Sequence, residues 1–286
     1  MLITNMVGSS QLTKTELAKK LGISRALLYY KHKRPALDEE VKQQIESVWT
    51  KHPAYGHKRL ALALKLNKKR ILRVMKKFGM KPYRRRLSKP IKIADLGKPA
   101  LAVVNVSKLL CPLAPNIVWV GDFTYIRFQE KFIYFATIMD QFTREIVGWN
   151  ISRYHNSELV VGALEDAFKR RTHVPVYLHS DQGSEYDSQM YQNTLKQLGI
   201  QLSMSDKGSP WQNGFQESFY SHFKLDLGRT DRFEHLGELG AALHQAVLYY
   251  NEERLHSVLK MTPKAFAQLN TRNHLSTDNT PSLLGT

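Results

Sequence analysis

The pattern of hydrophobic and polar positions changes near residue 117, where strand-like sequence begins. The segments "IVWVGDFTYIRF" and "KFIYFATIMDQF" are rich in β-branched and aromatic residues, and a turn near Gln129 and Glu130 joins them into a predicted β-hairpin. Further strands are predicted at "EIVGWNIS", "VPVYLHS" and "IQLSMS". Helices are predicted at "SELVVGALEDAFKRR", with Ser157 as its N-cap, and at "SQMYQNTLKQLG" and "NGFQESFYSHFKLDL". Residues 116–270 are therefore predicted to form an α/β domain with a mixed five-stranded sheet of the ribonuclease-H-like type and a C-terminal helical extension.

The first third of the chain has helical periodicity instead. In "LTKTELAKKLGISRALLYYKHKR", Thr13 or Thr15 can cap a first helix, Gly22 can supply the turn, and Ser24 can cap a second helix. This spacing is typical of a helix-turn-helix and predicts a first small DNA-binding unit over residues 1–35.

A second helical unit is predicted over residues 36–80. It contains "LDEEVKQQIESVWTKH", a helix near residues 57–65, and a helix "KKRILRVMKKFGM" capped by Asn67. On the last helix Ile71, Val74 and Met75 can face a core, while basic residues occupy the remaining surface.

The excess of positive over negative charge lies in the same third. The formal net charge is +17, and residues 1–100 contain 25 Lys and Arg against 6 Asp and Glu. A merely solvated basic face is the alternative, but this asymmetry favours nucleic-acid binding. We read residues 81–115 as a basic linker that follows the phosphate backbone. The residues of these segments that we expect to contact DNA are Ser24, Arg25, Tyr29, Lys69, Arg70, Arg73, Lys77, Arg84, Arg85 and Arg86.

Composition narrows the class of protein further. The opening lacks the features of a signal peptide, and the most apolar run, "FIYFATIM", is too short to span a bilayer. The single cysteine, Cys111, excludes an intrachain disulfide and a multi-cysteine zinc site. These observations predict a soluble cytoplasmic protein without a membrane partner. The polar stretch 271–286 is predicted to be a disordered tail.

Three acidic residues are candidates for catalysis. Asp122 lies in the middle of the first predicted strand, Asp181 follows the fourth, and Glu217 lies in a helix, with 35 residues between it and Asp181. Each has an alternative: Asp122 could pair with a buried arginine or lie on an exposed edge, Asp181 could be a cap, and Glu217 could be a solvated helix residue. If the first and fourth strands are neighbours, the carboxylates can converge and bind two Mg²⁺ or Mn²⁺ ions for phosphoryl transfer. Three further acidic residues are expected to be surface or capping groups, namely Asp140, Glu185 and Asp187.

The sequence around these residues resembles that of the transposases and integrases with a DDE catalytic core. Within that group it is most similar to the bacterial insertion-sequence transposases encoded in two overlapping frames, whose second frame carries the core. The matching text is "PNIVWVGDFTYI", "HSDQGSEY", "SMSDKGSPWQNGFQESFYSHFK" and "YYNEERLHSVLKMTPKAF". The family's basic residue seven positions after the glutamate is Lys224, which lies two helical turns from Glu217 on the face that also carries Asn213. Both are expected to contact DNA.

The resemblance implies an enzyme that cleaves DNA strands at the ends of an insertion sequence and joins them to target DNA. It implies a bacterial, nucleoid-associated protein that acts as a homo-oligomer, at least a dimer, on double-stranded DNA, with a first-frame protein as a further candidate partner. Many relatives have "YDNA" where this chain has "WQNG", so the resemblance does not define the shape of that loop. Two alternatives stay open as well: a transposase-derived DNA-binding regulator, and a ribonuclease-H-like nuclease that does not join strands.

The segment "YYNEERLHSVLKMTPKAF" admits two interpretations. Tyr250, Asn251, Arg254 and His256 could contact DNA or support the glutamate helix. Docking of the segment through Leu255, Leu259 and Phe266 is the commoner role for such residues, so packing is the favoured interpretation.

Overall fold

A mixed five-stranded sheet lies at the centre of the second half of the chain. The computed structural model describes residues 13–28, 34–85, 103–105, 112–206 and 214–277. The strands are β1 (Val118–Phe128), β2 (Lys131–Asp140), β3 (Ile146–Ser152), β4 (Tyr177–Ser180) and β5 (Gln201–Met204). Their order is β3-β2-β1-β4-β5, with β1, β2 and β3 antiparallel and with β4 parallel to both β1 and β5. The predicted ribonuclease-H-like sheet is confirmed.

Helices cover both faces of this sheet. They are α6 (Ser157–Arg170), α7 (Gln189–Gln197), α8 (Gly214–Leu227), α9 (Leu236–Glu252) and α10 (Pro263–Thr277). Alternate residues of β2 point to opposite faces, so Ala136 and Ile138 pack with α6 and α7, whereas Phe135 and Met139 pack with α8 and α9. The sheet is therefore buried on both sides.

Local signals account for most element boundaries. Gln129 has a left-handed backbone (φ 53°) in the predicted hairpin turn between β1 and β2. The N-cap of α6, however, is Asn156, and the prediction of Ser157 is wrong by one residue. Asn156 has an extended backbone, and its side chain accepts a hydrogen bond from the Leu159 amide, so Ser157 is already the first helical residue.

The helices of the first third are α1 (Lys14–Lys20), α2 (Arg25–Leu28), α3 (Arg34–Lys51), α4 (His57–Leu64) and α5 (Lys68–Lys77). Thr13 caps α1 in a capping box with Glu16, Gly22 takes the turn with φ 64°, and Asn67 caps α5. The residues predicted to face a core on α5 are buried against α3 and α4, namely Ile71, Val74 and Met75. The helical character of both predicted units is confirmed.

The C-terminal segment packs against the unit formed by α3, α4 and α5. The Leu255 amide donates to the Tyr55 hydroxyl (2.7 Å), and the Leu255 carbonyl accepts from Arg59 Nε (3.0 Å). His52 and Tyr249 share a hydrogen bond of 2.7 Å, and the side chain of Leu255 contacts the core of the helical unit. The packing interpretation of residues 249–266 is confirmed, and the second helical unit is joined to the sheet domain through this segment.

Helix α10 extends beyond residue 270, where the sequence predicts that a disordered tail begins. Residues 271–277 continue the helix, so that prediction is corrected for these residues, and residues 278–286 lie outside the described residues. No helix in the described parts of the chain is long and apolar enough to cross a membrane.

Gly148 in β3 provides a test of how tightly the sheet packs on α6. A Cβ at this position would collide with the Ala163 carbonyl oxygen and would lie 2.6 Å from the Ala167 Cβ. These are mainly backbone atoms of a buried helix, which cannot move aside cheaply. We expect Gly148→Ala to lower the free energy of unfolding by about 3 kcal/mol, measured by chemical denaturation. Gly237→Ala in α9, where a Cβ would meet no atom within 4 Å, is the matched control and should be neutral. Equal stability of the two variants would contradict the expectation.

Candidate active site

Asp122 and Asp181 reach the same level on neighbouring parallel strands. In the register of β1 and β4, Val120 is the partner of His179, and each aspartate follows its strand residue by two positions. Asp122 Oδ1 accepts from the Phe123 amide (2.8 Å), and Asp181 Oδ1 accepts from the Gly183 amide (3.0 Å). The sheet itself therefore brings the two carboxylates together.

The buried phenol of Tyr186 gives independent support for this convergence. Tyr186 is 1% exposed, and its pKa lies well above the ordinary value, first because of burial and then because of the negative charges of Asp122 and Asp181. A Cβ added at Gly121, the residue before Asp122, would lie 3.4 Å from this ring. One buried group thus experiences both aspartates.

Helix α8, which carries Glu217, is fixed to β1 by the side chains on either side of that residue. Gln216 Nε2 donates to the Val120 carbonyl (2.7 Å), and Tyr220 donates from its hydroxyl to the Asp122 carbonyl (2.5 Å). Thr137 on β2 contacts both side chains, at 3.2 Å from Gln216 Oε1 and 2.8 Å from the Tyr220 hydroxyl. This clamp connects the glutamate helix directly to the strand of Asp122.

Glu217 itself is exposed in the first turn of α8. Within the described ranges, no group of three His, Cys, Asp or Glu side chains is close enough to hold a metal ion. The structure therefore gathers Asp122 and Asp181 and places Glu217 on the adjoining helix, without a completed cluster of three carboxylates. The role of Glu217 as the third ligand stays a prediction.

Both halves of the sheet domain are similar to known integrase cores. Residues 112–210 and 198–263 match two family models, each described as an integrase core domain, and the two matches include all three carboxylates. The transposase for insertion sequence element IS904 of Lactococcus lactis is 34% identical over 261 residues, covering 84% of this chain and 99% of that protein. The chain belongs to the insertion-sequence transposases of the DDE transposase/integrase superfamily.

Other relatives of this transposase lie within the same group. The InsK protein for insertion sequence element IS150 of Escherichia coli (strain K12) is 30% identical over 259 residues, which cover 87% of this chain and 91% of that protein. A solved structure of the HTLV-2 integrase catalytic core domain aligns with 54% of this chain and 98% of its own at 19% identity, with a TM-score of 0.45. The fold assignment rests on the strand order and on the family match.

Glu185 of the transposase is not the surface or capping residue that the sequence predicts. Its side chain is 6% exposed and lies 2.6 Å from His155 Nδ1. The turn after β4 folds back so that Tyr186 enters the core, and this turn buries Glu185 as well. A Cβ on Gly183 would lie within 3.0 Å of carboxylate oxygens from both Asp181 and Glu185, so a larger residue there would displace these side chains.

The other two acidic residues behave as predicted. Asp140 is a buried capping group, whose oxygens accept from the amides of Asn116, Phe142 and Thr143 at 2.6 to 2.9 Å. Asp187 is exposed, two residues beyond the buried Glu185.

Several of the predicted DNA contacts also have partners within the protein. Arg70 Nη2 donates to the Leu37 carbonyl at 3.5 Å. Arg73 forms two hydrogen bonds with the buried carboxylate of Asp38 (2.6 and 2.8 Å), and Lys77 Nζ lies 2.9 Å from it. Together they hold the pKa of Asp38 well below its usual range. Arg73 and Lys77 therefore help to join α5 to α3, a role that the sequence analysis missed. Lys69, by contrast, is exposed on α5.

The remaining predicted contacts are placed as follows. Lys224 Nζ lies 5.3 Å from the centre of the Tyr125 ring, and Ser24 and Arg25 are exposed at the start of α2. From the linker, Arg84 donates to the Ala54 carbonyl (3.2 Å) and Arg85 to the Gly228 carbonyl (2.5 Å), so both contact the protein. Tyr29, Arg86 and Asn213 lie outside the described residues. Contact with DNA stays a prediction for the whole set.

Proposed function

We propose that this transposase cleaves the DNA strand at the ends of a mobile element and joins the freed 3′-hydroxyl to another strand, with Asp122 and Asp181 at the reacting phosphate. The observation that carries this proposal is that Asp122 in β1 and Asp181, directly after the neighbouring parallel strand β4, both lie near the buried Tyr186. The relatives described above are named as insertion-sequence proteins, which agrees with this reaction.

The chemistry of the donor set fits a divalent cation. Carboxylate oxygens are the ligands that Mg²⁺ and Mn²⁺ prefer, and two negative charges close to the buried Tyr186 are costly without a compensating cation. We propose Asp122, Asp181 and Glu217 as the ligands, with two ions per site as the prediction. When bound, the ions would activate the attacking hydroxyl and stabilise the leaving oxygen.

The side chains of the chain itself supply position and orientation. Gln216 and Tyr220 hold α8 on β1, so that Glu217 starts from a fixed helix beside Asp122. Lys224, two helical turns further along, is proposed to contact a DNA phosphate. The basic helical units are proposed to hold the duplex, and because an element has two ends, the active form is proposed to be at least a dimer. A first-frame partner stays a prediction.

A strand-transfer assay with labelled DNA ends tests this function. With Mg²⁺ or Mn²⁺ we expect products longer than the labelled strand, with EDTA we expect none, and excess Mg²⁺ should restore them. Joined products in EDTA would exclude a metal-dependent reaction. Shortened strands without any joined product would favour the nuclease alternative.

A further inference from the structure

A cationic cavity lies beside the glutamate helix, where the second helical unit, the sheet domain and the C-terminal segment meet. Its volume is about 170 Å³. The polar side chains around it come from several parts of the structure and include Arg59, Arg144, Ser218, His222, Arg254, His256 and Ser257. None of the described residues that line it is acidic. A cavity of this size and charge is suited to a phosphate group rather than to an apolar ligand.

The basic side chains around the cavity lower one another's pKa values. Burial first, and then the charges of neighbouring arginines, lower the pKa values of His222 and His256 to about 4. Burial and the charge of Arg254 lower the pKa of Arg59 to about 10. The carboxylate that balances part of this charge is Asp226, which lies 2.6 Å from Arg254 Nε. Buried positive charge of this kind is costly unless an anion compensates it.

The cavity is also close to the proposed chemistry. Ser218 and His222 lie one turn apart on α8, and Ser218 directly follows Glu217. The guanidinium of Arg144 stacks on the ring of Phe215 at 3.6 Å from its centre, which orients this side chain near the start of the same helix. A DNA strand held at Glu217 would therefore pass this cavity.

We infer that this cavity binds one backbone phosphate of the DNA strand next to the reacting bond, with Arg144 as a principal contact. The inference rests on the proposed function for its choice of DNA, although binding can be measured without any reaction. The site joins α4, α8 and the segment after α9, so a phosphate bound there would hold the helical unit, the glutamate helix and the DNA in one arrangement.

The test uses the full chain in EDTA and a duplex that carries the end of the mobile element. Arg144→Gln removes the charge, and Ser257→Asp, on the cavity wall, adds a repelling one. We expect each to weaken binding about tenfold, with the slope of log affinity against log salt reduced by about one for Arg144→Gln. Arg144→Lys should restore most of the affinity. The matched control is Arg170→Gln on α6, across the sheet from α8, which should change affinity less than about twofold.

Replacing single phosphates of the duplex by neutral methylphosphonates then identifies the contact. At one position, the substitution should weaken wild-type binding and abolish the difference between wild type and Arg144→Gln, because both changes remove the same contact. The inference would be overturned if the losses of affinity from Arg144→Gln and from the methylphosphonate were additive at every position of the duplex. Equal losses of affinity for Arg144→Gln and Arg170→Gln would also overturn it. A different result would indicate a site for free anions. Inorganic phosphate would then raise the melting temperature of the wild type but not that of Arg144→Gln, and no methylphosphonate position would abolish the difference in DNA affinity between the two proteins. This result would overturn the assignment to DNA. If one phosphate position shows the expected coupling to Arg144 but the protein performs no strand transfer, the proposed function is contradicted and the phosphate site is not.

Discussion

Replacing Asp122 or Asp181 by asparagine should reduce strand cleavage and strand transfer by about a thousandfold or more. Asparagine keeps the shape of the side chain, and its amide oxygen can still accept the hydrogen bonds from the Phe123 and Gly183 amides. The fold should therefore survive, while the negative charge that would hold the cation is lost. The measurement is single-turnover cleavage in Mg²⁺, with DNA affinity determined separately in EDTA.

Asp187→Asn is the matched control for this experiment. It makes the same chemical change in the loop of Asp181, but at an exposed side chain, so cleavage should stay within about twofold of wild type. Glu217→Gln extends the comparison to the third proposed ligand, which the structure places on the adjoining helix, and a loss comparable to that of the aspartates is expected. Cleavage close to wild type in any one of the three variants would remove that residue from the site. Loss of DNA affinity in all three would point to misfolding instead.

The sequence predicts the two strands that carry or precede the aspartates of the site. Runs rich in β-branched and aromatic residues predict β1 and β4, and the position of each aspartate relative to its strand is read directly from the sequence. The burial of Glu185 is not predicted, because this residue lies among polar residues that are typical of a surface turn. Its burial follows from the insertion of Tyr186 into the core, which local sequence does not reveal.

Contacts between segments that are distant in the sequence could not be predicted either. Gln216 and Tyr220 read as ordinary residues of an amphipathic helix, and their hydrogen bonds to β1 and β2 exist only because α8 packs across the sheet. Gln216 and Tyr220 flank Glu217 and are four positions apart, so they lie on the same face of the helix. This spacing is the feature of the sequence that could indicate their contact with the sheet. Arg73 and Lys77 were read as DNA contacts from charge alone, because their partner Asp38 lies on another helix.

The docking of the second helical unit restricts how subunits can share DNA. Hydrogen bonds join His52 to Tyr249 and Tyr55 to Leu255, so α3, α4 and α5 stay with the catalytic domain of their own chain. The first unit, α1 and α2, is therefore the better candidate to hold a DNA end for another subunit. The net charge of +17 opposes association of free chains, and DNA would relieve that repulsion.

Mixing two inactive proteins should restore strand transfer if subunits act on each other's DNA. One protein is the full chain with Asp122→Asn. The other keeps its carboxylates but begins at Arg34, which removes the first unit and leaves the docked second unit intact. Each should be inactive alone, whereas the mixture should form joined products, because one chain supplies DNA binding and the other supplies chemistry.

The control for this experiment pairs the Asp122→Asn chain with the same truncated protein carrying Asp181→Asn, so that no subunit has both aspartates. This mixture should stay inactive, since neither chain can bind the cation. Thermal melting of the truncated protein checks that it is folded before mixing. A folded truncated protein that stays inactive in the first mixture would contradict action in trans, and one that is fully active alone would show that the first unit is not required. Recovered products in the first mixture, and none in the second, would establish that α1 and α2 of one subunit serve the carboxylates of another.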